Sequence, residues 1–223
     1  GWIEVPNTKI SYPVVLRKGA EEGNEYYLAR KFNGEQARAG TIFVDYRTTI
    51  QDRKQSDNLV LYGHNEINNT MFGDLDLYKN ENAQNIFGEK SLEFYKQNPT
   101  FTFDTNYEEA TYKIFAVFIT PIDQKWDTKH DIFDYNNYID FDEARYDDFI
   151  KKANERSRIK TDIDTKFGDK FVTLSTCSRE FEDSRLVVIG RKVRPGENPT
   201  VNLEKVDHNE DAIELDWDTI YAK

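Results

Sequence analysis

Seven short runs of β-branched and aromatic residues constrain the fold of this 223-residue chain more than any other feature. Residues 10–16, 40–44, 58–62, 101–104, 111–119, 170–174 and 185–193 are rich in Val, Ile, Thr, Tyr and Phe. Each is bounded by Gly, Asn, Asp or Pro, the signature of strands. Helical spacing occurs in three places. Residues 24–32 carry Tyr27, Leu28, Lys31 and Phe32, and residues 82–97 carry Ile86, Phe87, Leu92 and Tyr95, with Pro99 as a stop. Residues 142–156 open on Asp142 and Glu143 and close on Lys151, Lys152 and Arg156, charges that complement a helix dipole. Seven or eight strands with few helices predict a mainly β fold that closes into a barrel.

Charge narrows the partners. Asp and Glu number 41 against 30 Lys and Arg, a net charge of -11. Such a chain lacks the basic face that displaces counterions from nucleic-acid phosphates, so no nucleic-acid partner is expected. It equally lacks a polybasic grip on anionic lipid. With 38% hydrophobic and 14% aromatic residues the chain is core-rich and folded. The longest apolar runs, such as 114–120, are strand-length and far below the ~20 residues that span a bilayer.

A single cysteine forbids an intrachain disulfide and excludes CxxC redox sites, zinc ribbons and iron–sulfur clusters. His64, His130 and His208 lie far apart with no zinc-binding spacing, and no phosphate-binding glycine loop is present. No metal and no cofactor are therefore expected. The Asp-x-Asp pairs at 74/76, 140/142 and 162/164 lack the full spacing of a calcium loop and read as solvated strand ends. His130 and His208 read as surface residues. Residues 197–223 hold eight acids against Lys205 and Lys223. Segment 196–223 therefore reads as an acidic C-terminal extension of unknown role, with Ile213, Leu215, Trp217 and Ile220 as a docking stripe.

Three reactive side chains fall at strand ends: His64 after run 58–62, Cys177 after run 170–174, and Arg185 opening the last run. A barrel mouth gathers such positions. A thiol becomes a nucleophile as thiolate, and imidazole and guanidinium are the neighbours that chemistry needs. Taken singly, each has a plain alternative. A free cysteine is commonly a small core hydrophobe, a histidine before Asn65 a turn residue, and an arginine a surface charge.

Together, these segments resemble a known family. Thr173-Leu174-Ser175-Thr176-Cys177 is similar to the TLxTC signature of sortases, the Gram-positive surface transpeptidases. Leu61-Tyr62-Gly63-His64-Asn65, followed by Thr70-Met71-Phe72-Gly73, resembles the class B histidine segment. Arg185-Leu186-Val187-Val188 resembles the arginine strand. The opening 1–8 and 12–15, with 25–28 and 40–46, resembles the class B entry.

The resemblance spans residues 1–195, read as the catalytic domain. It implies a closed eight-stranded sortase-type β-barrel with N-terminal helices and a helix before the seventh strand. It also implies Cys177 as nucleophile, His64 as general acid/base and Arg185 as oxyanion and substrate clamp. Asn24, Leu28, Ser175, Tyr138 and Ile139 match positions of substrate contacts, with ordinary core packing as the alternative for Leu28 and Ile139. Asp183 is a candidate to orient His64.

The implied substrates are surface proteins bearing a C-terminal sorting signal of Asn-Pro-x-Thr type. The implied acceptor is a peptidoglycan-precursor amine. The implied setting is the outer face of the cell membrane, with the enzyme a monomer anchored by an N-terminal helix absent from this chain. Three alternatives stay open at this point: a pilin-polymerising sortase with a lysine acceptor, a cysteine hydrolase, and a silent peptide-binding barrel.

Overall fold

The computed structural model describes residues 1–19, 23–52, 54–79 and 87–222. Eight strands form a closed barrel: β1 (Trp2–Glu4), β2 (Ser11–Val15), β3 (Ile42–Val44), β4 (Asn58–Tyr62), β5 (Thr100–Asp104), β6 (Thr111–Pro121), β7 (Phe171–Cys177) and β8 (Ser184–Lys192). Around the barrel the order is β1-β2-β3-β4-β7-β8-β6-β5, and β5 closes onto β1. The pairs β2/β3 and β4/β7 are parallel and the rest antiparallel, so the barrel is mixed. The seven expected runs all become strands. The eighth, β1, is only three residues before Val5-Pro6, too short for an alternating pattern to show.

Strand alternation sends side chains to two separate cores. Leu59 and Leu61 of β4, Val172 and Leu174 of β7, and Leu186 and Val188 of β8 fill the barrel interior. Val60, Phe171, Val187 and Ile189 face outward, into a second core with Phe133, Tyr135, Ile139 and helix α2 (Glu143–Arg156). This outer core decides where the site forms, because it continues the row on which Cys177 lies.

The α2 sequence explains its placement. Asp142 caps the first turn by accepting from the Arg145 N–H at 2.8 Å, and Arg156 lies in the last turn. Tyr146, Phe149 and Ala153 line the buried face. Full burial of Phe149 stabilises the packing by about 1.5–3 kcal/mol.

Two helical expectations came out differently in detail. Residues 24–32 form a 3₁₀ helix, Gly23–Ala29, none of whose residues is buried. With no buried face, nothing in the packing favours an α-helical stripe there. Helix α1 is confined to Glu89–Gln97, and residues 82–86 lie outside the described residues. A further short helix, α3 (Trp217–Tyr221), ends the described chain. Among the described residues, no helix is long and apolar enough to cross a membrane.

Candidate active site

The β4/β7/β8 register brings the three reactive side chains to one place. Cys177 is the last residue of β7 and is exposed. It lies directly opposite Arg185 across the antiparallel β7/β8 ladder, where paired Cβ atoms stand about 5 Å apart. On the other side, Ser175 pairs with Tyr62 of parallel β4. Two residues further along β7 stands Cys177, and His64 follows two residues past the end of β4. Cys177 and Arg185 belong to the outward-facing rows that carry Ser175 and Val187.

Three hydrogen bonds fasten the His64 segment to β7. Gly63 N–H donates to the Ser175 carbonyl (3.3 Å), and Thr176 Oγ1 donates to the Gly63 carbonyl (2.7 Å). Asn65 Nδ2 donates to the Cys177 carbonyl (2.9 Å). The same amide donates to Asp76 Oδ1 (2.9 Å), and its oxygen accepts from Arg179 (2.7 Å). Asn65 thus ties together the chain segments carrying the imidazole and the thiol. It stands in the motif that located His64, yet only the structure reveals its work.

His64 Nε2 lies 2.6 Å from the carbonyl of Leu28 in the 3₁₀ helix. A carbonyl only accepts, so the proton on that side sits on Nε2, and Nδ1 is the basic nitrogen of the neutral ring. A main-chain oxygen leaves no trace in a sequence, which is why a carboxylate was sought instead. Asp183 does not fill that role. Its carboxylate pairs with Lys125 Nζ at 3.0 Å, and its carbonyl accepts from Ile122 N–H. It holds the β7–β8 turn against the exit of β6.

The floor of the site is Ser175 over Tyr135. Ser175 is buried and its Oγ lies 2.6 Å from the Tyr135 hydroxyl. Burial pushes the Tyr135 phenol up to about 12, while the Ser175 hydrogen bond and nearby Arg185 oppose the rise. Cys177 adds a smaller electrostatic push upward on the same phenol. Tyr135 was missed because an aromatic-rich segment gives no sign of which ring turns toward the site.

The remaining expected contacts divide. Leu28 is partly exposed beside the site, whereas Ile139 is buried in the outer core. The Tyr138 hydroxyl donates to Asp148 and accepts from Lys152 Nζ (3.1 Å). Asn24 has both ends of its amide occupied: Nδ2 donates to Asp45 Oδ2 (2.8 Å), and Oδ1 accepts from Tyr46 N–H (2.9 Å). Of the aspartate pairs, Asp140, Asp142, Asp162 and Asp164 are exposed, as expected, with Asp164 accepting from Arg194 (2.7 Å); Asp74 differs, being buried and accepting from Lys9 N–H (2.6 Å). His130 is partly buried and contacts Asp127 through Nδ1.

Asp45 is the hub behind Tyr62. This fully buried carboxylate accepts from Arg47 N–H, Nε and Nη2, from Asn24, and from the Tyr62 hydroxyl (3.0 Å). Burial opposes its ionisation, but the Arg47 and Asn24 hydrogen bonds win and hold it below the usual carboxylate range. Arg47 reaches on to the Asn136 carbonyl (2.7 Å) and Asn137 Oδ1 (2.6 Å). The hub thus ties β3, β4 and the 3₁₀ helix to the segment that carries Tyr135 and Tyr138.

A lone exposed thiol flanked by imidazole and guanidinium at a barrel rim can run acyl transfer through a thioester. The sortase-domain family model matches residues 3–193, which contain all of these groups. The chain belongs to the sortase family.

Class B is the subgroup that its relatives define. The chain is 31% identical to sortase B of Listeria monocytogenes over 196 residues, 86% of this chain and 69% of that protein. The crystal structure of sortase B from Bacillus anthracis is 33% identical with a TM-score of 0.67, covering 87% of this chain and 78% of that one. A sortase B complexed with triglycine is 27% identical with a TM-score of 0.67, covering 86% and 79%. This sortase is a class B cysteine transpeptidase.

Proposed function

We propose that this sortase cleaves an Asn-Pro-x-Thr-type sorting signal after Thr and transfers the protein to a peptidoglycan amine, with Cys177, His64 and Arg185 as the catalytic groups. The observation that carries the reading is the placement at one end of β7: Cys177 stands opposite Arg185, and the segment that carries His64 just past β4 is hydrogen-bonded to the other flank of β7 through Gly63 and Asn65.

The Cys177 thiol gives its proton to His64, its sulfur attacks the Thr carbonyl, and the developing oxyanion is met by the Arg185 guanidinium. The carbon–nitrogen bond breaks, and His64 gives its proton to the departing amine. The acyl group is left as a thioester on Cys177. An acceptor amine then attacks that carbonyl, passes a proton to His64 and expels the sulfur, leaving a new amide. Charges and protons balance over the two halves without a cofactor. The triglycine-bound relative supports an amine-bearing peptide as acceptor. Sorting signals and cell-wall precursors meet at the outer face of the membrane, where we place the reaction.

Ligation of labelled Asn-Pro-x-Thr and Leu-Pro-x-Thr peptides to triglycine, diaminopimelate-type and lysine amines tests this directly. Product from the Asn-Pro peptide with a cell-wall-type amine is expected. Preference for the lysine amine would move the acceptor to a pilin, and preference for Leu-Pro would overturn the signal assignment.

A further inference from the structure

Residues 197–222 lie beyond the sortase match, which ends at 193. They nevertheless pack tightly. Val201, Val206, Ala212 and Ile220 are buried, and Asp207–His208 pairs as a ribbon with Ile159–Lys160. The Arg158 guanidinium holds both oxygens of Glu214. The segment is therefore fastened along the end of α2 before it reaches its last contact.

That last contact is polar and buried. Asp216 is 1% exposed. Its Oδ2 accepts from Thr128 N–H (3.1 Å) and Thr128 Oγ1 (3.0 Å), and its Oδ1 meets Lys129 Nζ (3.0 Å). The loop held in this way, just past β6, carries Trp126. The buried Trp126 ring packs on Phe181 at 5.6 Å between centroids. Neighbouring Lys125 pairs with Asp183. Phe181 and Asp183 both lie in the turn whose two ends are Cys177 and Arg185, a turn closed by Ser178 N–H donating to the Ser184 carbonyl (2.9 Å).

We propose that the C-terminal segment is a strap that positions the Cys177–Arg185 turn, fastened by Asp216 and linked through Trp126 and Phe181. Asp216 is a positioning residue, acting on the catalytic groups through the loop held at Thr128 and the Trp126–Phe181 contact. The strap belongs to this chain's own extension rather than to the matched domain. It rests on the reading of Cys177 and Arg185 as catalytic, and small displacements at such pairs cost rate steeply.

The test uses the full chain with Asp216→Ala, Asp216→Asn, Phe181→Ala and the Asp216→Ala/Phe181→Ala double variant, all assayed well below their melting midpoints. Iodoacetamide labelling of Cys177 needs no peptide and reads one thiol only, since the chain has a single cysteine. Asp216→Ala is expected to lower kcat for peptide transfer roughly tenfold with KM retained, and to change the labelling rate severalfold. Asp216→Asn keeps the oxygen that Thr128 uses and is expected to restore most of both.

The double variant is expected to be no worse than the more damaged single one, because both act on one path. Wild-type transfer and labelling in a variant that merely melts lower would overturn the strap, as would additive losses in the double variant. Absence of transfer by the wild-type enzyme would sink the catalytic reading instead. Labelling would then still decide the strap, a changed rate supporting it and an unchanged one overturning it.

Discussion

Replacing Asp45 by Asn removes one charge from the hub while keeping its shape. The amide retains one acceptor oxygen but turns an NH₂ group toward Asn24 Nδ2 and the Tyr62 hydroxyl, which lose their acceptor, and toward Arg47 Nη2, which keeps only the Asn136 carbonyl. Breaking a buried ion pair from one side costs about 3–5 kcal/mol. Here the Arg47 side chain is 35% exposed and can still turn to water, so the cost falls below that range, to about 2–3 kcal/mol. At this chain length each kcal/mol shifts Tm by roughly 2–4 °C, so a fall of roughly 5–10 °C is expected by circular dichroism.

The ionised Asp45 is favoured in the folded state, so its folded pKa lies below its unfolded value. Its stabilisation is therefore complete above the unfolded carboxyl value of about 3.9 and is lost as pH falls through the folded value. The gap in Tm between wild type and Asp45→Asn should accordingly narrow below about pH 4. Because Arg47 also holds Asn136 and Asn137, peptide KM should rise severalfold in transfer assays at 25 °C while kcat changes little. A Tm within about 2 °C of wild type at neutral pH would refute the hub as an energetic centre. An unchanged KM would refute its hold on the segment that carries Tyr135 and Tyr138.

Two further perturbations separate the ends of the barrel. A methyl group at Gly63 would lie 2.8 Å from the buried Phe72 ring and 3.2 Å from Ile42, so Gly63→Ala must displace the His64 segment. Overpacking of this kind costs about 1–3 kcal/mol, and transfer activity should fall well beyond the loss of folded protein measured by melting. Glu197→Gln acts at the opposite end, where Glu197 holds the 1%-exposed Arg191 (2.5 and 2.7 Å) and Lys113 (2.7 Å). Its loss should lower stability by about 3 kcal/mol in urea melts, with kcat and KM unchanged. A fall in kcat would mean that the two ends are coupled.

Local residue chemistry carried most of the barrel into view. Runs such as 111–119 and 185–193 declare strands by β-branching alone, and capping by Asp142 and Arg156 declares α2. The three reactive side chains were legible because each ends a strand inside a recognisable motif. The supports around them were not. Asp45 draws donors from positions 24, 47 and 62, and no pattern along the chain announces such a meeting. The Leu28 carbonyl that meets His64 belongs to the main chain and is silent in any sequence. The tail's docking stripe was visible: Leu215 and Trp217 pack partly buried against the barrel core and Ile220 is buried, while Val201, Val206 and Ala212 are buried without having been singled out. Asp216 looked like one more surface acid until its threonine partners folded around it.

Intact-mass spectrometry of the enzyme mixed with an Asn-Pro-x-Thr peptide, without any amine, addresses the nucleophile most directly. A mass gain equal to the acyl fragment ending at Thr is expected on the wild-type chain, abolished in Cys177→Ala and released when an amine is added. An adduct that persists in Cys177→Ala, or a wild-type chain that iodoacetamide labels at Cys177 but no such peptide acylates, would contradict it.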